Sequence, residues 1–574
     1  LLLAGVLLVF PVWLFLYSSV GSYNLHYWAR LGTVLLFAFF AGLLVFERRG
    51  AAGWLLGWAA LVVFSGAVFA AFSWLNRVTA YPFSLTWSEG NRLWDYSMLF
   101  GSGRYQFPGE HQTFTFISAG RQFLWGLPFL FSSTTIFGAR LWDALLWILP
   151  GALLGWAAVF RQPAAPGAWA WKLGLGVWTF VFLAQGPIYA PLLVGALLVV
   201  LALRARSLAL AVVIILVAAY YTSISRTTWT YAPGLWAGML ALIEAPSPSL
   251  HPRQWKKLVR PVALGIAGYV GGQFLPLIVR RLTTPETATG SLTLVLDPVS
   301  QVTRQPLLWE RLLPNPTFAP GILLATLWAA LPVILFLAVM LARRVWRLNG
   351  LQIAATAAIS LAFLAVGIVA STKIGGGSNL HNLDMFWVTL ALLVAWMVKD
   401  LIRRGASGLF AGALLPVVLA AAMIGPVTYT VTYGAPLGLP PKDIVATSVA
   451  SLQSTIGEAA QRGTVLFIDQ RQLLTFGTIQ DVPLITDYEK KYLMEQAMSG
   501  NQKYFDVFKK DLAEHRFALI VSEPIRTGLV SADTRNFAQE NNAWVTFVSA
   551  PLLEYYTPLT TYDEIGVQLL VPKE

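Results

Sequence analysis

The stretch Thr86-Trp-Ser-Glu-Gly-Asn-Arg-Leu-Trp-Asp-Tyr96, continuing to Gly101-Ser-Gly-Arg-Tyr105, sets Glu89, Arg92, Asp95 and Arg104 among Trp87, Trp94 and Tyr105. A carboxylate beside guanidinium groups and aromatic rings can take a proton from an acceptor, hold an anion and stack on a sugar or a nucleotide. The plainer reading of the same residues is an amphipathic interfacial helix with an aromatic belt and snorkelling arginines. The choice between them rests on the elements that hold the stretch.

Two further polar stretches could carry chemistry. Ser371-Thr-Lys-Ile-Gly-Gly-Gly-Ser-Asn-Leu-His-Asn-Leu-Asp384 combines three glycines with Lys373, Asn379, His381, Asn382 and Asp384. Glycines permit close backbone approach and positive φ, and Lys373 supplies a point charge suited to a lipid-linked phosphate. The loop 280–318 contains Arg280, Arg281, Asp297, Arg304, Trp309, Glu310 and Arg311. Its length exceeds that of an ordinary connector and suggests a binding loop. Arg226, in Ser-Ile-Ser-Arg-Thr-Thr-Trp, is a further anion-binding candidate. The chain has no G-x-x-x-x-G-K-[ST], H-E-x-x-H or G-x-S-x-G motif, and no close Asp-x-Asp pair in these loops. No cofactor is implied, and a bound divalent metal has little support.

The elements that position these stretches are membrane spans. Of 574 residues, 56% are hydrophobic and 12% charged, against about 25% charged in ordinary soluble domains. Apolar runs of spanning length fall at 1–20, 31–46, 52–74, 138–160, 172–187, 188–203, 208–222, 230–244, 261–279, 319–342, 351–371, 383–398 and 406–430, about thirteen in all. The run 1–20 is too long for a signal-peptide core and reads as a span. Few ionisable residues lie inside these runs, which weakens an ion-coupled transporter. The chain has no cysteine, so disulfides and thiol chemistry are excluded.

Basic residues occupy alternate loops: Arg48-Arg49, Arg161 with Lys172, Arg204 with Arg206, Arg253 to Arg260, Arg343 to Arg347, and Lys399 to Arg404. The positive-inside rule makes that side cytoplasmic. This bias also accounts for the net charge of +12 without nucleic acid. Loops 75–137, 280–318 and 372–382 then face outward. After an odd number of spans, so does the tail from 431.

That tail differs in kind. Gly434 to Pro441 reads as a linker. Thr464–Asp469, Phe517–Ser522, Val545–Val548 and Gly566–Val571 read as strands, and Asp487–His515 as helical. The expected architecture is a polytopic α-helical membrane domain over 1–430 and an extracytoplasmic α/β domain over 431–574.

An acidic residue in the first outer loop, followed by a helix that ends in a Gly-x-x-Tyr-type segment, resembles the GT-C fold membrane glycosyltransferases. Here the pattern is Ser88-Glu89-Gly90 and Gly101 to Tyr105. The layout is similar to aminoarabinose transferases and protein O-mannosyltransferases, and Lys373 to Asn379 resembles a late outer loop of bacterial members. Tyr504-Phe-Asp-Val-Phe508 is similar to a stretch in the tail domains of bacterial GT-C-like proteins. Many relatives carry an Asp-Glu pair where this chain has Ser88-Glu89.

The resemblance implies inverting transfer of a sugar from a polyprenyl-phosphate donor, at the outer face of the bacterial cytoplasmic membrane, to an acceptor glycan, lipid or protein. In it Glu89 is the general base, while Lys373, Arg92 and Arg104 bind the donor phosphate. Trp87, Trp94, Asp95, Tyr105, Asn379, His381 and Asn382 bind substrate. The competing readings are a non-catalytic GT-C-like scaffold or subunit of a surface assembly, for which Ser88 is the main support, and a lipid-linked ligase or flippase.

Overall fold

The computed structural model describes residues 1–23, 27–46, 50–107, 119–161, 168–246, 252–283, 305–373, 375–404, 414–432 and 434–574. Asp297 and Arg304 of the expected binding loop lie outside them, as does much of the loop itself.

Apolar runs fold as helices because a backbone in hydrocarbon must satisfy its own hydrogen bonds. Among the described residues, eight helices are long and apolar enough to cross a membrane: Tyr27–Val45, Ala51–Leu75, Ile136–Val159, Leu208–Ser225, Val259–Leu282, Gly321–Ala342, Gly350–Ser371 and His381–Arg404. Four shorter apolar helices accompany them, Leu2–Leu16, Trp169–Leu183, Ala190–Leu203 and Leu414–Thr430. The chain is thus a mostly helical, multi-pass membrane protein, but the expected count of thirteen spans is not supported. Several expected spans are only 13–17 residues as helices. At 1.5 Å per residue these fall short of a hydrocarbon core about 30 Å thick.

The helix 381–404 forms the centre of the bundle, with 78% of its apolar window buried, whereas only 11% of Gly350–Ser371 is covered. The latter starts with a capping box between Asn349 and Gln352. The Gln352 amide also donates to the carbonyls of Leu242, Ile243 and Ala245, so the cap of one helix secures the end of another.

The tail holds a four-stranded mixed sheet in the order β1-β2-β4-β3. Here β1 is Thr464–Phe467, β2 Phe517–Ser522, β3 Tyr556–Tyr562 and β4 Val567–Pro572. β1 and β2 are parallel, and the other pairs antiparallel. The crossover from β1 to β2 includes the helices Lys490–Met498 and Gln502–Ala513. Val545–Val548 is not a strand: it lies in a turn of π-helix, Val545–Ser549, between the helices Ala538–Trp544 and Ala550–Tyr555. The buried residues Val545, Val548 and Leu552 recur at i, i+3 and i+7, the spacing of a helix face rather than of a strand. The helix Lys442–Arg462 after the linker was not foreseen.

The tail packs directly on loops of the membrane part. One hydrophobic cluster joins Phe83, Trp94, Met98 and Tyr105 to Leu452, Ile456, Phe467 and Leu473. A second tie runs through buried Arg311, which donates to the Gly376 carbonyl at 2.8 Å and pairs with Glu540 at 2.5 Å. Gly377 makes room for it: its φ is +74°, and a Cβ there would lie 2.6 Å from the Arg311 Cδ.

Candidate functional site

The polar stretch folds as the helix Glu89–Gly101, and its side chains leave in three directions. Glu89 opens the first turn, where a carboxylate complements the helix dipole. Its Oε1 accepts from Arg140 Nε and its Oε2 from Arg140 Nη2, both at 3.0 Å. Oε2 also accepts from the Leu85 amide at 2.7 Å. Arg140 in turn donates to the carbonyls of Thr79, Tyr81 and Phe83. Glu89 and Arg140 therefore shape the approach of segment 79–85 to the helix.

Asn91, Trp94 and Met98, at i, i+3 and i+7, form the face buried against the tail. Asn91 donates to the Ile468 carbonyl at 3.0 Å and to Glu489 Oε1 at 2.7 Å. The Trp94 ring lies 4.3 Å from the guanidinium of Arg471. The Tyr105 hydroxyl bonds Ser97 Oγ at 2.6 Å and Thr475 Oγ1 at 2.7 Å, and burial pushes it up to about 12. Trp94 and Tyr105 thus pack in the docking interface, while Trp87 keeps an exposed ring, 4.8 Å from Lys490 Nζ. Arg104 donates to the carbonyls of Phe131, Ser132, Thr134 and Thr475.

Arg92 and Asp95, at i and i+3, form the third face. Gln122 Nε2 donates to both the Asp95 carbonyl and Oδ1, at 2.9 Å each. Burial raises the Asp95 carboxyl to about 7. Lys491, the Gln122 hydrogen bond and Arg121 oppose that rise, and Glu489 adds to it. Burial alone would lower the Arg92 guanidinium, but Tyr96, Tyr189, Asp143 and Glu89 together raise it.

The centre of this polar region is Tyr189. The Arg121 guanidinium lies 4.5 Å from the Tyr189 ring centroid and 5.8 Å from that of Trp229. Arg121 Nε is buried without a hydrogen-bond partner among the described residues. Burial would raise the Tyr189 hydroxyl, yet Arg121, Arg92, Arg226 and Lys491 outweigh it and lower it. Four cations from four parts of the chain act on one ring. Preorganised positive charge of this kind suits a phosphate.

The glycine-rich loop contributes its far end. Arg226 donates to Asn382 Oδ1 at 2.7 Å and to Asp384 Oδ2 at 3.2 Å, and Trp229 Nε1 donates to the same Asp384 oxygen at 2.7 Å. His381 Nδ1 and Asn379 Oδ1 share a 2.5 Å hydrogen bond. Lys373 sits at the near end, donating to the Gln305 carbonyl at 2.8 Å, and burial lowers its ammonium. It is not among the four cations around Tyr189. Among the described residues no group of three or more His, Asp or Glu could hold a metal.

Of the residues named from sequence, Arg92 and Arg226 act on Tyr189, Asn382 is bonded to Arg226, and Asp95 feels Arg121 as Tyr189 does. Glu89, Arg104, Trp94 and Tyr105 are engaged elsewhere. Sequence reasoning missed Arg121, Tyr189 and Lys491. A signal for Tyr189 exists in Gln185-Gly-Pro-Ile-Tyr189, a break between two apolar runs. Gly186 lets the Leu380 backbone close in, since a Cβ there would lie 2.6 Å from the Leu380 oxygen.

No family model matches the chain, and neither does any curated protein. Among solved structures it is similar to the apo crystal structure of the Archaeoglobus fulgidus oligosaccharyltransferase, at 14% identity and a TM-score of 0.37, over 80% of this chain and 69% of that one. A likeness that weak decides neither fold nor activity.

Proposed function

We propose that the chain is a membrane glycosyltransferase that moves a sugar from a polyprenyl-phosphate donor to an acceptor at the outer face of the cytoplasmic membrane. The observation that carries this reading is the Arg121 guanidinium, 4.5 Å from the Tyr189 ring and 5.8 Å from that of Trp229, with its buried Nε unpartnered among the described residues. Arg121 supports it most directly, because a buried guanidinium nitrogen without a partner is costly unless an anion supplies one.

In this reading the acceptor oxygen or nitrogen attacks C1 of the sugar and the bond from C1 to the phosphate oxygen breaks. The polyprenyl phosphate leaves with that electron pair, and a carboxylate takes the acceptor's proton. Arg121, Arg226 and Arg92 stabilise the charge that grows on the departing phosphate. The resemblance names Glu89 as the base. Its oxygens already accept from two Arg140 nitrogens and the Leu85 amide, whereas Asp95 is poised to take a proton near neutral pH. The geometry therefore favours Asp95 as base, with Glu89 as an organiser of the loop. Lys373 and Arg104 remain secondary candidates for the phosphate, since each would first give up backbone carbonyls.

The test supplies the purified protein with polyprenyl-phosphate hexoses and pentoses plus cell-envelope acceptors. Transfer to an acceptor that is lost in Arg121→Met is the expected result. No transfer from any donor, together with no binding of farnesyl phosphate, overturns the reading and favours the scaffold.

A further inference from the structure

Within the reading above, we infer that Asp384 is the positioning residue of the phosphate site, and that it aims Arg121 through the ring of Trp229. Asp384 begins the helix Asp384–Arg404 at the centre of the bundle, with only 1% of its side chain exposed. It is therefore closed to a ligand and acts only through its neighbours. Its Oδ2 accepts from Trp229 Nε1 at 2.7 Å and from Arg226 Nη1 at 3.2 Å. Its Oδ1 accepts from the Met385 amide at 2.7 Å. Three donors thus meet two oxygens that can only accept. An asparagine in the same place has a single oxygen, and its amide nitrogen would face a donor. The arrangement calls for a carboxylate.

Trp229 is completely buried, so its indole N–H must find an acceptor inside the protein. Turning the ring over would leave both that N–H and a buried carboxylate oxygen without their partner. The hydrogen bond to Asp384 accordingly fixes which way the ring faces. Its centroid lies 5.8 Å from the Arg121 guanidinium carbon, 5.7 Å from that of Arg226 and 6.3 Å from the Tyr189 centroid. The two guanidinium groups are held differently. Arg226 is clamped by hydrogen bonds to Asp384 and, at 2.7 Å, to Asn382. Arg121 rests on Tyr189 and Trp229, and its buried Nε has no partner among the described residues. Its aim is set by those two rings, and Trp229 is the one whose tilt Asp384 controls. An indole that donates to an anion also gains electron density, which strengthens its hold on a cation.

The test measures farnesyl phosphate binding to the full chain in phosphatidylcholine nanodiscs. Asp384→Asn should weaken binding about tenfold, as for the loss of one hydrogen bond to a charged group. Removing a negative charge close to a bound phosphate would by itself tighten binding. Unchanged or tighter binding therefore overturns the inference and leaves Asp384 as a counterion of Arg226. The same change made in an Arg121→Met background should cost less than in the wild type, because the residue it acts through is gone. An equal or larger cost there overturns the inference as well. The indole N–H resonance of Trp229, identified by its loss in Trp229→Phe, should move upfield in Asp384→Asn, and an unmoved resonance counts against the inference in the same way. Should Asp384→Asn fail to fold, Trp229→Phe is the second test: it keeps a ring without the N–H, should lose affinity, and overturns the inference if it binds like the wild type. Wild-type affinity in Arg121→Met is a different failure, which removes the phosphate site itself and the reading above with it. Phosphatidylglycerol in the nanodisc separates the sources of phosphate: its competition with farnesyl phosphate would assign the site to ordinary headgroups and overturn the polyprenyl assignment.

Discussion

Glu89 and Arg140 meet at two points, Nε to Oε1 and Nη2 to Oε2, both 3.0 Å. Arg140 is almost completely buried, with 4% of its side chain exposed. Removing one partner of such a pair leaves the other charge uncompensated, at a cost of about 3–5 kcal/mol. Glu89→Gln should therefore lower thermal stability in detergent, and Glu89→Gln with Arg140→Met should recover part of the loss. A Glu89→Gln variant with wild-type melting and no transfer would instead identify Glu89 as the base.

Asp95→Asn should reduce transfer by roughly 100-fold or more, the usual share of a general base, without lowering stability. In the wild type, a base at about 7 must lose its proton to act, so kcat/KM should rise with pH through neutrality. Linkage fixes the sign for stability as well. The folded state holds the Asp95 proton to higher pH than the unfolded state, so this group's contribution falls as pH rises from about 4 to about 7. Asn mimics the protonated form, so the stability gained by Asp95→Asn should be larger at pH 8 than at pH 5.

Arg121→Met should weaken farnesyl phosphate binding while leaving the ligand-free protein as stable as the wild type, or more so. Its guanidinium stacks on Tyr189 and leaves Nε without a hydrogen bond among the described residues. Removing a cation that is held ready for a ligand relieves desolvation at the expense of function. A fall in ligand-free melting temperature comparable to the loss in binding would mark Arg121 as structural.

Gly377→Ala should detach the Arg311 tie. A Cβ at φ +74° would lie 2.6 Å from the Arg311 Cδ, displacing a guanidinium that pairs with Glu540. A loss of about 1–3 kcal/mol is expected for such overpacking. Hydrogen exchange should rise in the helix Ala538–Trp544, and unchanged protection there would count against the tie.

Cysteines placed at Ser102 and Ser531, both exposed, should react from the same side of the membrane with an impermeant thiol reagent. The basic residues in alternate loops lead us to expect that this side is the exterior. Labelling of one site on intact cells and of the other only after permeabilisation would contradict the arrangement.

The membrane part was legible because long apolar runs have one stable backbone form in lipid. β1, β2 and β4 were legible as short apolar runs bounded by polar residues. Val545–Val548 misled because four residues are too few to separate a period of 2 from one of 3.6. The helix Lys442–Arg462 buries only the modest set Ser448, Leu452, Ile456 and Ala459, which leaves little periodic signal. In the site, Arg92, Asp95 and Arg226 stood out as charges beside apolar runs. Arg121 and Lys491 did not, because their meaning depends on Tyr189 and Asp95 lying beside them in space. Trp94 has the residue type of a sugar platform, but its ring is covered by Arg471, a partner that no local spacing could reveal.

The hydrogen bond from Asn91 to the Ile468 carbonyl joins residues 377 positions apart. A ribosome adding about 5–20 residues per second needs roughly 20–75 s to cover that interval. Throughout it, Trp94, Met98 and Tyr105 have been made but lack the surface they bury against. The newborn protein therefore emerges with its central polar helix unfinished, and a chaperone or the insertion machinery has a defined interval in which to shield it.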